Sequence, residues 1–329
     1  MAEKTGRYLI VGAGAIGAFL AAQWTLAGVA TVLVARGRAL EAIARDGVRV
    51  RRPHGDEIVR VEVVGALADA QPTAADVVVL AVKSQDAESA LTQIAWLPLA
   101  DGTGLVADLP ILTLQNGLAT EDLALRRFRR VIGVSVAIEA SHLEPGVVVA
   151  TSYPLVGLVW LGAYPFSDPD AEAKHSAAFR AGGFATWVEP DIAAAKRRKL
   201  IGNLHNGVEV FDSEPDELEA ALRAVRAEAR ALFDELGLPV APPTADARLE
   251  IETVPGHSSG LSTWQSFARG ASSEGDYLNG EVTWLARRHG RTAPLNEAVQ
   301  RGLGALAARG GKPGEMSLAD VLGGRVSVG

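Results

Sequence analysis

The chain has 329 residues, a formal net charge of −7, 48% hydrophobic and 22% charged residues, and no cysteine. That length suggests two domains with ample core, and the balance is that of an ordinary globular protein. The acidic charge and the lack of a long basic run argue against a nucleic-acid surface, and the missing cysteines exclude disulfides, thiolate nucleophiles and cysteine-ligated zinc. The histidines show no metal-ligand spacing, so no metal is expected.

The first strand, Tyr8-Leu9-Ile10-Val11, runs straight into Gly12-Ala13-Gly14-Ala15-Ile16-Gly17, and a helical stretch, Ala18 to Ala27, comes next. Strand, GxGxxG and helix in that order is the context in which the motif implies dinucleotide binding. Gly12 allows the tight turn, Gly14 lets the backbone approach a pyrophosphate, and Gly17 lets the helix pack on the sheet. The helix N-terminus then offers open N–H groups and a positive dipole end to phosphates. The second strand, Thr31–Val34, ends near Arg36, with Arg38 close by. An NAD site places Asp or Glu there for the ribose 2′-hydroxyl, whereas a guanidinium suits a 2′-phosphate. The expected cofactor is therefore NADPH. A solvated surface arginine is the plain alternative.

Strands are then expected at Val48–Arg52 and Ile58–Val64 around a turn at Pro53-His54-Gly55, and at Asp76–Val82, Ile111–Leu114 and Val131–Ile138. The uncharged run from Gly146 to Pro165 is long enough to raise a membrane span. Thr151-Ser152-Tyr153-Pro154 interrupts it, so it reads as two further strands of the same sheet. Phe184–Val188 closes the series. Strands alternating with helices indicate a doubly wound α/β sheet. No signal peptide is visible, and the composition suits a reducing, cytoplasmic setting.

Near Pro190 the periodicity becomes helical. The candidates are Ile192–Phe211, Glu214–Leu236, Ser258–Arg269, Ser273–His289 and Asn296–Arg309, with Ser273 as cap and Glu274 in the first turn. The expected organisation is a Rossmann-type nucleotide domain over 1–190 and a helical substrate domain over 191–329. The helical half also offers a face for a homodimer, although no heptad marks one.

Polar residues at strand ends are the first site candidates. Lys83 follows one buried strand and suits a phosphate or ribose; Asn116 follows the next and suits ribose, nicotinamide or substrate. Either is equally at home as a loop residue. In the second half, Lys199, Asn203 and Asn206 fall at i, i+4 and i+7, one stripe of a helix. Such a stripe holds a bound carboxylate and carbonyl if buried, and is merely solvated if exposed. His205 points to another face and reads as structural. Capping explains Ser262 and Glu274 as readily as function does.

Taken together these residues resemble the ketopantoate reductase family. The matching features are GAGAIG, the Arg after the second strand, Val82-Lys83-Ser84, Gln115-Asn116-Gly117, Pro145-Gly146, Arg198-Lys199-Leu200 with Asn203, Ser262 with Gln265, and Glu274-Gly275-Asp276-Tyr277-Leu278-Asn279-Gly280. The resemblance implies NADPH-dependent reduction of 2-dehydropantoate to pantoate. It makes Lys199 the general acid, charged at neutral pH because a free ammonium has a pKa of about 10.4. It puts Asn203 and Ser262 on the substrate's hydroxyl and carboxylate ends, lets Asn116 bridge substrate and cofactor, and sets Glu274 on the cofactor ribose or nicotinamide side, where it also orients Lys199.

The departures gather in the substrate pocket. Gly207 stands where the family has a second Asn, with Asn206 one position early; Ser259 and Ser266 replace an Asn and an Asp; Trp264 replaces a slimmer apolar residue. A site that hydrogen-bonds its substrate discriminates strongly, so a related 2-oxo acid or ketone stands beside ketopantoate. Two readings of other kinds also stand: a nucleotide-binding sensor without turnover, and a hydroxyacyl or opine dehydrogenase.

Overall fold

The computed structural model describes residues 6–244, 248–254, 262–268, 270, 274–323 and 326. The chain forms two compact units, one from Met1–Gln115, Thr120–Ala193 and Thr244–His257, the other from Asn116–Ala119, Ala194–Pro243 and Ser258–Gly329.

Among its described residues the first unit carries twelve strands: β1 (Tyr8–Val11), β2 (Thr31–Val34), β3 (Val48–Arg52), β4 (Gly55–Val59), β5 (Glu62–Val64), β6 (Val77–Leu80), β7 (Pro110–Thr113), β8 (Arg130–Ala137), β9 (Ala140–Glu144), β10 (Val147–Ala150), β11 (Leu158–Tyr164) and β12 (Ala185–Val188). Eight of them form a sheet in the order β12-β11-β8-β7-β6-β1-β2-β5. All its neighbours are parallel except β11 and β8. β1 lies between β2 and β6, so strand order reverses there, and the carboxyl ends at that reversal are where an open α/β sheet binds its ligand. β1, β2 and β6 are buried throughout, as expected of parallel strands covered on both faces. The helices associated with this sheet are α1 (Ala15–Leu26), α2 (Gly37–Asp46), α3 (Ala87–Ile94), α4 (Ala119–Leu125) and α5 (Pro169–Ala181).

Two expectations are corrected here. The stretch Ile58–Val64 is not one strand: β4 pairs with β3, and β5 joins the large sheet beside β2. The two strands after Gly146 also part company. β11 enters the large sheet, whereas β10 pairs with β3 and β9 in a second sheet ordered β4-β3-β10-β9. The alternation of β3 accounts for this. Val48 and Val50 are fully buried, while Arg49 and Arg51 face outward to Asp56 on β4, so this strand presents one apolar face rather than two.

A buried pair ties β1 to α5. The Tyr8 hydroxyl lies 3.0 Å from His175 Nδ1, and the rings meet edge to face. Burial lowers the His175 pKa to about 4 and raises that of Tyr8 to about 12. The native state therefore keeps the imidazole neutral while an unfolded chain protonates it near 6.5. This stability is fully present above about pH 6.5 and is lost as pH falls toward 4, by about 2 kcal/mol at pH 5. Thermal unfolding of wild type and His175→Gln between pH 7 and 4.5 checks this: the variant should lose less Tm on acidification.

The second unit is helical. α6 (Ile192–Asn203) leads into it, followed by α7 (His205–Val208), α8 (Pro215–Glu235), α9 (Ser262–Ala268), α10 (Asn279–Arg288), α11 (Pro294–Ala308) and α12 (Leu318–Leu322). Leu200, Leu204, Val208, Phe211, Val225, Phe233, Val282 and Val299 are among the apolar residues of its core. Between α8 and α9 the chain returns to the first unit. There Thr244 Oγ1 accepts a bond from the Trp160 indole at 2.7 Å, and residues 250–252 pair with 151–153 as a short antiparallel bridge. No helix among the described residues is long and apolar enough to cross a membrane.

Candidate functional site

In the first unit the glycine turn is built as its spacing predicts. Gly12 has φ +114°, and a Cβ there would lie 2.9 Å from Val82 Cγ1. A Cβ on Gly17 would lie 1.9 Å from the Gly12 carbonyl oxygen, so the start of α1 is pressed against the turn. Gly14 is the helix N-cap, has no side chain to cap it, and faces open space where a Cβ would stand. The first turn of α1 has no acidic residue. Open N–H groups, a positive dipole end and a backbone free of side chains fit a pyrophosphate. Ala13, Ala15 and Ile16 are the remaining residues of the turn.

Arg36 follows β2 as the N-cap of α2 and is exposed, as is Arg38. Neither has a carboxylate partner among the described residues, so both guanidiniums remain available to a phosphate. Lys83 is half-buried beyond β6, at the start of a 3₁₀ turn over Ser84–Asp86. Gln115, noted in the sequence only as part of Gln115-Asn116-Gly117 and given no role there, holds this loop: its buried amide donates to Leu80 O and Val82 O, both at 2.9 Å.

The second unit gathers several other candidates. Asn116 belongs to it together with Gly117, whose φ is +80°. A Cβ on Gly117 would lie 2.5 Å from Tyr277 O, so only glycine lets this turn lie against the Glu274–Tyr277 segment. Asn203 Nδ2 donates to Asn116 Oδ1 at 3.1 Å, which joins two of the predicted residues directly. Lys199 sits one turn before Asn203 on α6 and is half-buried. α6 is tied down along its length: Arg197 Nε donates to Pro239 O at 2.6 Å, Arg198 donates to Pro242 O, and Ala241 N donates to Ala194 O at 3.1 Å.

The single helical stripe is corrected. α6 ends at Asn203, and Asn206 lies on the separate short helix α7, where it is buried. The pKa of His205 is lowered, first by burial and then by the Arg226 charge. The expected helix Ser273–His289 is also corrected. Glu274 is half-buried and precedes a 3₁₀ turn, Gly275–Tyr277, and α10 starts only at Asn279. Ser262 opens α9. Ser259 and Ser273 lie outside the described residues, as does the side chain of Ser262. Ser266 is buried.

The glycine at 207 has a physical reason. A Cβ there would lie 2.3 Å from Asn279 Oδ1, and Asn279 is fully buried. The Asn279 amide already occupies the space a side chain at 207 would need. It donates to Asn296 Oδ1 at 3.0 Å, and Asn296 Nδ2 donates to Glu228 at 2.8 Å.

The family model for ketopantoate reductase PanE/ApbA matches residues 8–165, and the model for the C-terminal part of the same family matches 193–307. The chain belongs to the ketopantoate reductase family. The 2-dehydropantoate 2-reductase of Mesorhizobium japonicum is 30% identical to it over 324 residues, covering 88% of this chain and 94% of that protein. A PanE/ApbA family ketopantoate reductase from Ralstonia eutropha JMP134 superposes with a TM-score of 0.72 at 25% identity, covering 92% and 99% of the two chains. D-mandelate dehydrogenase, solved with NADH and anilino(oxo)acetate, shares the fold with a TM-score of 0.75 at 16% identity, over 92% of this chain and 99% of that one. As a ketopantoate reductase family member, the chain is an oxidoreductase that acts on a CH–OH group with a nicotinamide cofactor.

Proposed function

We propose that this protein reduces a 2-oxo acid, ketopantoate or a close relative, to the 2-hydroxy acid with NADPH, in the cytoplasm and as part of pantothenate synthesis. The observation that carries the reading is the direct Asn203–Asn116 bond one helical turn from Lys199. It joins residues far apart in sequence that the family resemblance assigns to one substrate.

Gly12, Gly14 and Gly17 would hold the pyrophosphate, with Arg36 and Lys83 on the phosphates or ribose and Glu274 on the ribose or nicotinamide side. The reduced nicotinamide, when bound, supplies the hydride. Lys199 Nζ polarises the substrate carbonyl and donates a proton to its oxygen, which neutralises the negative charge that develops there. Asn116, Asn203, Asn206 and Ser262 bind and orient the substrate's oxygens; an orienting amide loses little on binding because its partner already holds it. Gly207 and Ser266 keep the choice of acid open within this class.

The test is NADPH and NADH oxidation with a panel of 2-oxo acids that includes ketopantoate. A guanidinium–phosphate contact contributes about 2 kcal/mol, so Arg36→Ala should lose about thirtyfold in kcat/KM for NADPH and little for NADH. A wild-type preference for NADH would refute the cofactor assignment. Tight NADPH binding without turnover on any carbonyl would leave the sensor reading in place of the reductase.

A further inference from the structure

One side chain of α8 meets the end of the helix that carries Lys199. Arg226 Nε donates to Ile201 O at 3.3 Å, and its Nη2 donates to Gly202 O at 3.2 Å. Both carbonyls belong to the last turn of α6, where a helix leaves its carbonyls without amide partners of its own. A guanidinium suits that place twice over: its fork spans two adjacent carbonyls, and its charge faces the negative end of the helix dipole.

Two residues along α8, Glu228 does the converse. Its carboxylate accepts from Leu295 N and Asn296 N at 2.9 Å each, at the positive end of α11. α8 therefore caps one helix at its carboxyl end and another at its amino end, with a charge of the right sign for each. The α6 cap bears on chemistry because it adjoins a candidate substrate residue. α6 stops at Asn203, directly after Gly202, and the Asn203 amide reaches Asn116 from that last turn. The body of α6 is held by Arg197 and Arg198; its end is held by Arg226.

We propose that Arg226 is a positioning residue for the reduction: it holds the end of α6 and thereby sets the placement of Asn203 and Lys199. This rests on the functional reading above. Arg226 is assigned no contact with substrate or cofactor.

The experiment compares wild type, Arg226→Met, Arg226→Lys and Arg226→Ala. Arg226→Met should lose at least tenfold in kcat/KM for the 2-oxo acid, while the Kd for NADPH stays within twofold. Backbone hydrogen exchange, measured without substrate, should quicken at least tenfold at 203–208 and stay unchanged in β1 and α1. Arg226→Lys should recover part of the activity, and added guanidinium should restore Arg226→Ala severalfold without affecting wild type. Arg226→Met with kcat/KM within twofold of wild type overturns the proposal, as does unchanged exchange at 203–208. Global unfolding of the Met and Lys variants alike overturns it too, since Arg226 would then be structural only. If the wild type reduces no 2-oxo acid, the functional reading fails with it, and the exchange data still decide separately whether Arg226 holds the helix end.

Discussion

Lys199→Ala is expected to lower kcat about a thousandfold and to leave NADPH binding intact. A positioned acid contributes two to four powers of ten to a carbonyl reduction, and methyl in place of ammonium removes both the proton and the positive charge beside the reacting oxygen. Arg197 and Arg198, which anchor α6, are untouched by this change, so the helix should stay in place. Single-turnover oxidation of NADPH, followed alongside the Kd for NADPH, separates the two effects. Lys199→Arg is a useful companion, because it keeps the charge but holds its proton too tightly to give it up. Unchanged activity in Lys199→Ala would sink the proposed role.

Gly17→Ala is expected to weaken NADPH binding by at least a hundredfold and to cost about 3 kcal/mol of stability. The added Cβ would stand 1.9 Å from the Gly12 carbonyl oxygen and 3.1 Å from the Ala81 Cβ. The oxygen belongs to the backbone, so it cannot swing aside as the tip of a flexible side chain would. Relief requires the start of α1 to move off the turn, which misaims the N–H groups meant for the pyrophosphate. Gly14→Ala is the control: its Cβ meets nothing in the protein. It should fold normally and lose affinity only through contact with the cofactor itself. Calorimetry with NADPH and thermal unfolding of both variants distinguish the two mechanisms; equal stability for the two would contradict this account.

What could be read from the sequence was local or carried by long apolar runs. The turn after β1 was legible because strand, glycines and helix are contiguous and each glycine has its own steric reason. The break of α6 at Leu204 was hidden because the apolar stripe continues through it: Leu200, Leu204 and Val208 are all buried in one core, as they would be on an unbroken helix. Nothing in that periodicity reveals Arg226, on another helix, bonding to the last carbonyls. The parting of β4 from β5 was hidden for a similar reason. Residues 58–64 are uniformly strand-like, and only the choice of partner divides them. The Asn203–Asn116 bond was legible in part, since both residues were candidates, but their meeting depends on long-range packing. The reason for Gly207 became visible only with Asn279, far along the chain, lying in the space.

Thr244 and residues 250–252 belong with the first unit although the chain has by then passed through α6–α8. The first unit, to which we assign nucleotide binding, is not a continuous stretch that one cut can release. A fragment ending near 190 would lose the partners of Thr151 O, Tyr153 N and the Trp160 indole, which Glu252, Glu250 and Thr244 now supply. Grafting a new helical unit onto this sheet would require a junction near 193, one on each side of the returning segment and one on each side of Asn116–Ala119. The first unit is a set of three chain segments, and only the fold makes them one.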